Sequence, residues 1–282
     1  MNEKKIFKRV FIVGCPRSGT TLLQGIIAAH SEVFSLPETY FFAKVFSKNP
    51  LKRHLLWPAI KVRGQLKKII HDMGRDDLIE KAEIGLFQGD YHVPFLKVMD
   101  QIALDAGKTI WLEKTPWHLY CIDEIQKRIP DAEIIHIIRN GHDVVLSLVK
   151  ATRNYPQQWA SLGERKWKKW TGFSVEESVK RWNNDLKLTR SRQKLPRNTV
   201  IKFEELIAEP EASAKRLCSL LGITFEESMV DPALTYNKIV RDNEPWKLNN
   251  AKKIGEREMI CEDILTQSEK ELMRKTLSHY DL

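Results

Sequence analysis

Residues 11–29, Phe-Ile-Val-Gly-Cys-Pro-Arg-Ser-Gly-Thr-Thr-Leu-Leu-Gln-Gly-Ile-Ile-Ala-Ala, restrict the possible folds more than any other stretch. An apolar run over residues 10–13 reads as a buried strand, and it meets Gly14 and a tight loop ending at Gly19. Leu22, Leu23, Ile26 and Ile27 then recur with helical spacing, so the loop joins a strand to a helix. In that setting the loop's backbone N–H groups and the positive end of the helix dipole converge on one point. Such a point is an anion site, well suited to phosphate.

Gly14 and Gly19 have the separation of a Walker A motif and Thr21 its Ser/Thr place, but Thr20 stands where that motif needs lysine. A kinase or NTPase of P-loop type uses that lysine against the β- and γ-phosphates. Here Arg17 sits in mid-loop instead, which points to a nucleotide with a shorter, differently charged tail. A phosphatase reading of Cys15 fails, because Thr21 occupies the place of the arginine that would close such a loop.

Further strands are predicted over residues 32–36, 109–112, 134–138 and 200–203, each separated from the next by helical patterns. Ser174 with Glu177, and Thr266 with Glu269, have the spacing of capping boxes. Pro210 starts a helix that runs to Leu221 and ends at Gly222. The alternation predicts an α/β fold: a central parallel β-sheet flanked by helices, with a P-loop-like phosphate-binding loop. At 282 residues the chain suits one large domain over 1–282. Residues 49–105 lack strand signals and read as a helical cap, with helices over 51–62, 66–73 and 94–105. Residues 231–262 read as a long irregular stretch.

The apolar run near residue 10 is too short for a signal-peptide core or a membrane span. Cys15, Cys121, Cys218 and Cys261 are scattered without paired spacing, which fits reduced thiols in the cytoplasm and argues against a zinc site. The eight histidines show no ligand spacing either, so no metal is expected. The net charge of +9 is concentrated: residues 150–197 hold thirteen Lys/Arg against four Asp/Glu. A basic segment of that kind can attract nucleic acid, a membrane surface or an anionic small molecule.

Ligands of open parallel sheets sit beyond the carboxyl ends of the strands. Arg17, Glu38, Lys114 and Arg139 all fall at or just past predicted strand ends. Three cations describe a pocket for an anion charged at two separated places, and the lone carboxylate describes a general base. A kinase would need an acidic residue to hold magnesium at the end of a neighbouring strand, and the 134–138 strand ends in arginine. A nucleic-acid-binding module would leave the phosphate loop and Glu38 without a task, so no nucleic-acid partner is expected.

Pro16-Arg17-Ser18-Gly19-Thr20-Thr21 resembles the 5′-phosphosulfate loop of sulfotransferases that use 3′-phosphoadenosine 5′-phosphosulfate (PAPS). Arg139, followed eight residues later by Ser147, resembles their 3′-phosphate motif. Glu113-Lys114-Thr115-Pro116 and Lys202-Phe203-Glu204-Glu205-Leu206 with Glu209-Pro210 agree as well, in order and spacing, over roughly residues 8–222.

The resemblance implies PAPS as co-substrate and no metal. The amides of residues 17–21 and the hydroxyls of Ser18, Thr20 and Thr21 would hold the 5′-phosphate, and Arg139 and Ser147 the 3′-phosphate. Phe203 would lie beside the adenine, and Lys247 would reach the 3′-phosphate. Arg17 and Lys114 would stabilise the leaving phosphate. Glu38 matches the base of the carbohydrate- and protein-tyrosine-type branch. In the steroid and phenol branch the base is a histidine directly after the lysine and threonine. Pro116 occupies that place here and His118 follows two residues later as the second candidate. Gly141 and His142 depart from the Pro-Arg pair common after the 3′-phosphate arginine.

Residues 153–173 carry Tyr155, Trp159, Trp167, Trp170 and Phe173 among Arg165, Lys166, Lys168 and Lys169. Rings interleaved with cations suit a saccharide or small hydroxylated acceptor, or a peripheral membrane contact, or a lid packed on the core. A lipid headgroup or a peptide tyrosine is the next acceptor class.

Overall fold

The computed structural model describes residues 5–45, 57–80, 91–159, 172–231 and 262–279. Strands β1 (Lys8–Gly14), β2 (Val33–Ser35), β3 (Ile110–Lys114), β4 (Glu133–Ile138) and β5 (Asn198–Lys202) form one parallel sheet in the order β2-β3-β1-β4-β5. The chain leaves β1 toward one edge of the sheet, returns through β3, and then builds β4 and β5 on the other side. β1 is thus flanked by β3 and β4, and the carboxyl end of β1 is the place where a ligand crevice opens.

Side chains alternate across the sheet with a period of two. Phe11, Val13, Trp111 and Ile134 face one apolar core, covered by α2 (Phe41–Val45), α3 (Trp57–Asp72) and α4 (His92–Asp105). Val10, Ile12, Leu112, Ile135 and Ile137 face a second core, completed by α1 (Thr20–Ala28) and by Leu217 and Leu221. Burial on both faces explains why the strands read as continuous apolar runs.

The remaining helices are α5 (Ile122–Arg128), α6 (Gly141–Asn154), α7 (Pro156–Trp159), α8 (Val175–Arg192), α9 (Phe203–Ala208), α10 (Pro210–Leu221) and α11 (Gln267–Thr276). Both expected capping boxes are formed, Ser174 with Glu177 and Thr266 with Glu269. Gly222 ends α10 in the left-handed conformation, at φ 70°. Among the described residues no helix is long and apolar enough to cross a membrane.

Several boundaries differ from the sequence reading. The helices expected over 51–62 and 66–73 are one continuous α3 from Trp57, with residues 46–56 outside the described part. A single glycine costs a helix only about 1 kcal/mol, and burial of Val62, Leu66, Ile69 and Ile70 outweighs that cost at Gly64. β3 continues through Glu113 and Lys114, because parallel pairing with Phe11 and Ile12 carries two charged residues into the sheet. Phe203 opens α9 instead of ending β5. Residues Pro116–Cys121 form a 3₁₀ turn before α5 begins. From the basic segment, Tyr155 and Phe173 pack against the core made by Val144, Leu148 and Trp182. Residues 160–171 and 232–261, including Lys247, lie outside the described part.

β4 also buries His136 completely, with Nε2 2.9 Å from Asn198 Oδ1. Removal from water pushes its pKa down to about 4, against the opposing pull of that Asn198 contact. The unfolded chain takes up this proton near pH 6.5, while the folded chain resists it until about pH 4. Stability is therefore intact above pH 6.5 and falls by about 3 kcal/mol on acidification through that window. Urea midpoints measured from pH 7 to 4 should show this loss, and a His136→Gln chain should lack it.

Candidate active site

The anion loop is built as the glycine pattern requires. Ser18 N–H donates to the Cys15 carbonyl at 3.1 Å, and Arg17 and Gly19 on either side of it are left-handed, at φ 73° and 94°. Such alternation turns consecutive amides toward one concavity. α1 has no side-chain cap and no acidic residue in its first turn. Its leading N–H groups are therefore available to an anion. Ser18 is only 1% exposed, yet its Oγ has no hydrogen-bond partner among the described residues. Thr20 and Thr21 are buried beside it.

Arg139 stands one residue past β4 and reaches the same place. Its Cζ lies 4.5 Å over the Phe203 ring, and Phe203 in turn packs on Gly19. A Cβ at Gly19 would sit 2.3 Å from Phe203 Cδ2. The Arg139 Nη2 donates to Asp143 Oδ2 at 3.1 Å, while its Nε is buried without a hydrogen-bond partner among the described residues. Ser147, two turns into α6, accepts from Arg17 Nε at 2.9 Å. Loop, guanidinium and serine, up to 130 residues apart in the chain, are one cluster.

The departure at Gly141 has a local cause. Trp182 of α8 donates its indole N–H to the Arg139 carbonyl at 3.2 Å, and its ring lies where a Cβ on Gly141 would come within 2.8 Å. Close approach of the tryptophan holds the turn that carries Arg139.

On the other side of β1, Lys114 donates to Glu38 in a nearly dry ion pair, with side chains 1% and 9% exposed. Glu113, fully buried, turns to the opposite face. Its Oε1 accepts from Thr39 N–H at 3.1 Å, Thr39 Oγ1 at 2.8 Å and Thr115 Oγ1 at 2.6 Å. Burial would push the Glu113 pKa up, but the charge and contact of His118 and the Thr115 and Thr39 bonds bring it below the usual carboxylate range.

His118 does not reach the site opening. It is fully buried, edge-on to Phe11 and Phe42, with Nδ1 2.8 Å from Glu113 Oε2. A base must touch the proton it removes, so this ring position argues against the second candidate. The sequence singled out Glu38, Lys114, Arg17 and Arg139 and passed over Thr39, Asp143 and Trp182. Glu113 had only its place in a motif, because its direction depends on the β1–β3 register.

The family model for the Sulfotransferase family matches residues 9–227, the span that contains every one of these described groups. The chain belongs to the sulfotransferase family. Protein-tyrosine sulfotransferase 2 of Gallus gallus is 22% identical over 228 residues, covering 78% of this chain and 53% of the chicken protein. The chain spans 26%, 53% and 32% of the length of three curated relatives it matches. The solved sulfotransferase domain of the Synechococcus PCC 7002 olefin synthase superposes with a TM-score of 0.57 at 17% identity, covering 100% of this chain and 98% of that one. Mouse sulfotransferase SULT7A1, solved with PAP, gives 0.50 at 13% identity and covers 95% and 82% of the two chains. Both likenesses concern the fold.

Proposed function

We propose that this sulfotransferase-family chain moves a sulfonate group from PAPS to an acceptor hydroxyl or amine. The observation that carries the reading is the union of the anion loop with Arg139 and Ser147 in one cluster, marked by the Arg17–Ser147 hydrogen bond. Two anion contacts on one site suit a nucleotide phosphorylated at both 3′ and 5′ positions. The residues present fit that nucleotide: the α1 terminus, the Ser18 hydroxyl and the Arg139 Nε all lack a complement among the described residues.

The donor supplies the sulfuryl group and a phosphate leaving group. Residues 17–21 bind that phosphate through backbone amides, and Ser18, Thr20 and Thr21 add hydroxyls. Arg139 and Ser147 grip the 3′-phosphate, where a planar guanidinium suits bidentate contact. Phe203, beneath Arg139, borders the adenine side, and Lys247 is a further 3′-phosphate ligand. Glu38 takes the acceptor's proton while the acceptor atom bonds sulfur and the bond from sulfur to the 5′-phosphate oxygen breaks. Lys114 and Arg17 neutralise the charge that then develops on the phosphate. The nearly dry Lys114–Glu38 pair places the two side chains side by side for these tasks.

For the acceptor, the basic aromatic segment 153–173 favours a saccharide or small hydroxylated metabolite. Similarity to a protein-tyrosine sulfotransferase makes peptide tyrosine the second class. The buried, scattered cysteines Cys15, Cys121 and Cys218 suit a reducing, cytoplasmic setting.

Isothermal calorimetry tests the nucleotide assignment. Adenosine 3′,5′-bisphosphate (PAP) should bind about 10- to 100-fold more tightly than ATP, the worth of one charge-assisted contact at the 3′ position. Tighter ATP binding overturns the assignment. Sulfur-35 transfer from labelled PAPS across saccharide, tyrosyl-peptide and lipid acceptors then ranks the acceptor classes.

A further inference from the structure

Glu113 and His118 form a buried ionisable pair with no part in the chemistry above. Both are fully buried, and His118 Nδ1 lies 2.8 Å from Glu113 Oε2 inside an aromatic core. Enclosing a carboxylate this deeply is costly unless a task or a compensating charge accompanies it. Its second oxygen shows what the carboxylate does. Oε1 gathers the Thr39 amide, the Thr39 hydroxyl and the Thr115 hydroxyl, all within 3.1 Å. Thr39 is the residue next to Glu38.

The network continues along the same segment. Thr115 Oγ1, while donating to Glu113, accepts the Tyr40 amide at 3.2 Å, and Thr39 Oγ1 accepts the Phe41 amide at 3.2 Å. Gln65 of α3 caps the Thr39 carbonyl at 2.5 Å. Tyr40 is held left-handed at φ 52°, a conformation a non-glycine residue keeps only where its surroundings dictate it. Three consecutive amides next to Glu38 thus end on groups organised by one carboxylate. Because β3 alternates its side chains, neighbouring residues serve the two halves of the segment: Lys114 meets the Glu38 carboxylate and Glu113 anchors the backbone behind it.

We infer that Glu113, backed by His118, is a positioning residue that fixes the backbone of residues 38–41 and so aims the Glu38 carboxylate at the acceptor. The inference rests on the sulfotransferase reading and adds to it the device that holds the base. His118 thereby has a role without touching substrate: its ring stands 2.8 Å from the second carboxylate oxygen and backs the carboxylate, while Oε1 accepts three hydrogen bonds at once.

The test uses the full chain with two substitutions and one control. Thr39→Val keeps the side-chain volume and removes the hydroxyl, Glu113→Asp draws the carboxylate back by one methylene, and Thr39→Ser restores the hydroxyl. Amide hydrogen exchange is read over residues 38–41 and over the 15–28 loop and helix. PAP affinity and the turnover of PAPS, with 4-nitrophenol and with water as probe acceptors, are measured alongside. A displacement of about 1 Å can cost about 100-fold in rate. The expected result is exchange at 38–41 faster by tenfold or more in the Val and Asp variants, unchanged exchange over 15–28, and unchanged PAP affinity. Turnover should fall about 10- to 100-fold at constant KM for PAPS, with Thr39→Ser close to the parent protein.

Unchanged exchange at 38–41 overturns the inference, as does a uniform loss of protection across the fold with PAP affinity falling in step. Turnover within threefold of the parent in both variants overturns it too. Failure of the parent chain to bind PAP is a separate result that removes the sulfotransferase reading, and the inference with it.

Discussion

Replacing Glu38 by Gln should lower the turnover of PAPS by about 10²–10⁴-fold, the worth of a well-placed general base. The amide keeps the shape of the carboxylate but cannot take a proton. PAP should bind as tightly as before or more tightly, because the carboxylate that now holds Lys114 would no longer compete with the phosphate contact proposed for it. The same substitution removes the charge that the almost fully buried Lys114 meets at Glu38. Stripping one partner from a buried pair costs about 3–5 kcal/mol, so the melting temperature of the free protein should drop. A bound phosphate replaces the missing charge, so PAP should raise the melting temperature of the variant more than that of the parent. Calorimetry, thermal melts with and without PAP, and labelled-donor turnover measure the three effects. Retained turnover with unchanged PAP binding would move the proton acceptor elsewhere.

Gly19→Ala attacks the other half of the site. The new Cβ would lie 2.3 Å from Phe203 Cδ2 and 2.7 Å from its Cε2, at a φ of 94° that residues with side chains rarely adopt. Backbone strain of this kind costs about 1–3 kcal/mol, and forcing atoms into a filled core costs about 1–3 kcal/mol more. Phe203 is hemmed in by Arg139, so relief of the clash displaces the guanidinium as well as the loop. PAP affinity should therefore fall by about 10- to 100-fold for each charge-assisted hydrogen bond to phosphate that this displacement breaks. Urea denaturation gives the stability change and calorimetry the affinity. By contrast, Gly64→Ala in α3, where no described residue lies within 4 Å of a Cβ, should be neutral or stabilising by up to about 1 kcal/mol. That difference separates a glycine required by close packing from one that is merely tolerated.

The Glu38 and Gly19 predictions draw on different kinds of knowledge about the chain. Residue order alone determined the strand-loop-helix at 8–28, the parallel sheet, both capping boxes and the four charged residues at strand ends. These features are local: periodicity, glycine spacing and capping act within a few residues, so a linear reading reaches them. Only the tertiary structure decided which way Glu113 and His118 face. Their direction follows from pairing Phe11 with Glu113 and Ile12 with Lys114 across about 100 residues of chain. A one-residue slip would exchange the two roles, since side chains on a strand alternate between faces. The same pairing sets Glu113 against His118, which lies buried behind it and away from the site opening. Gly141 shows the same division: in sequence it is a departure from the family pattern, and in the fold it is the space that Trp182 needs to support Arg139.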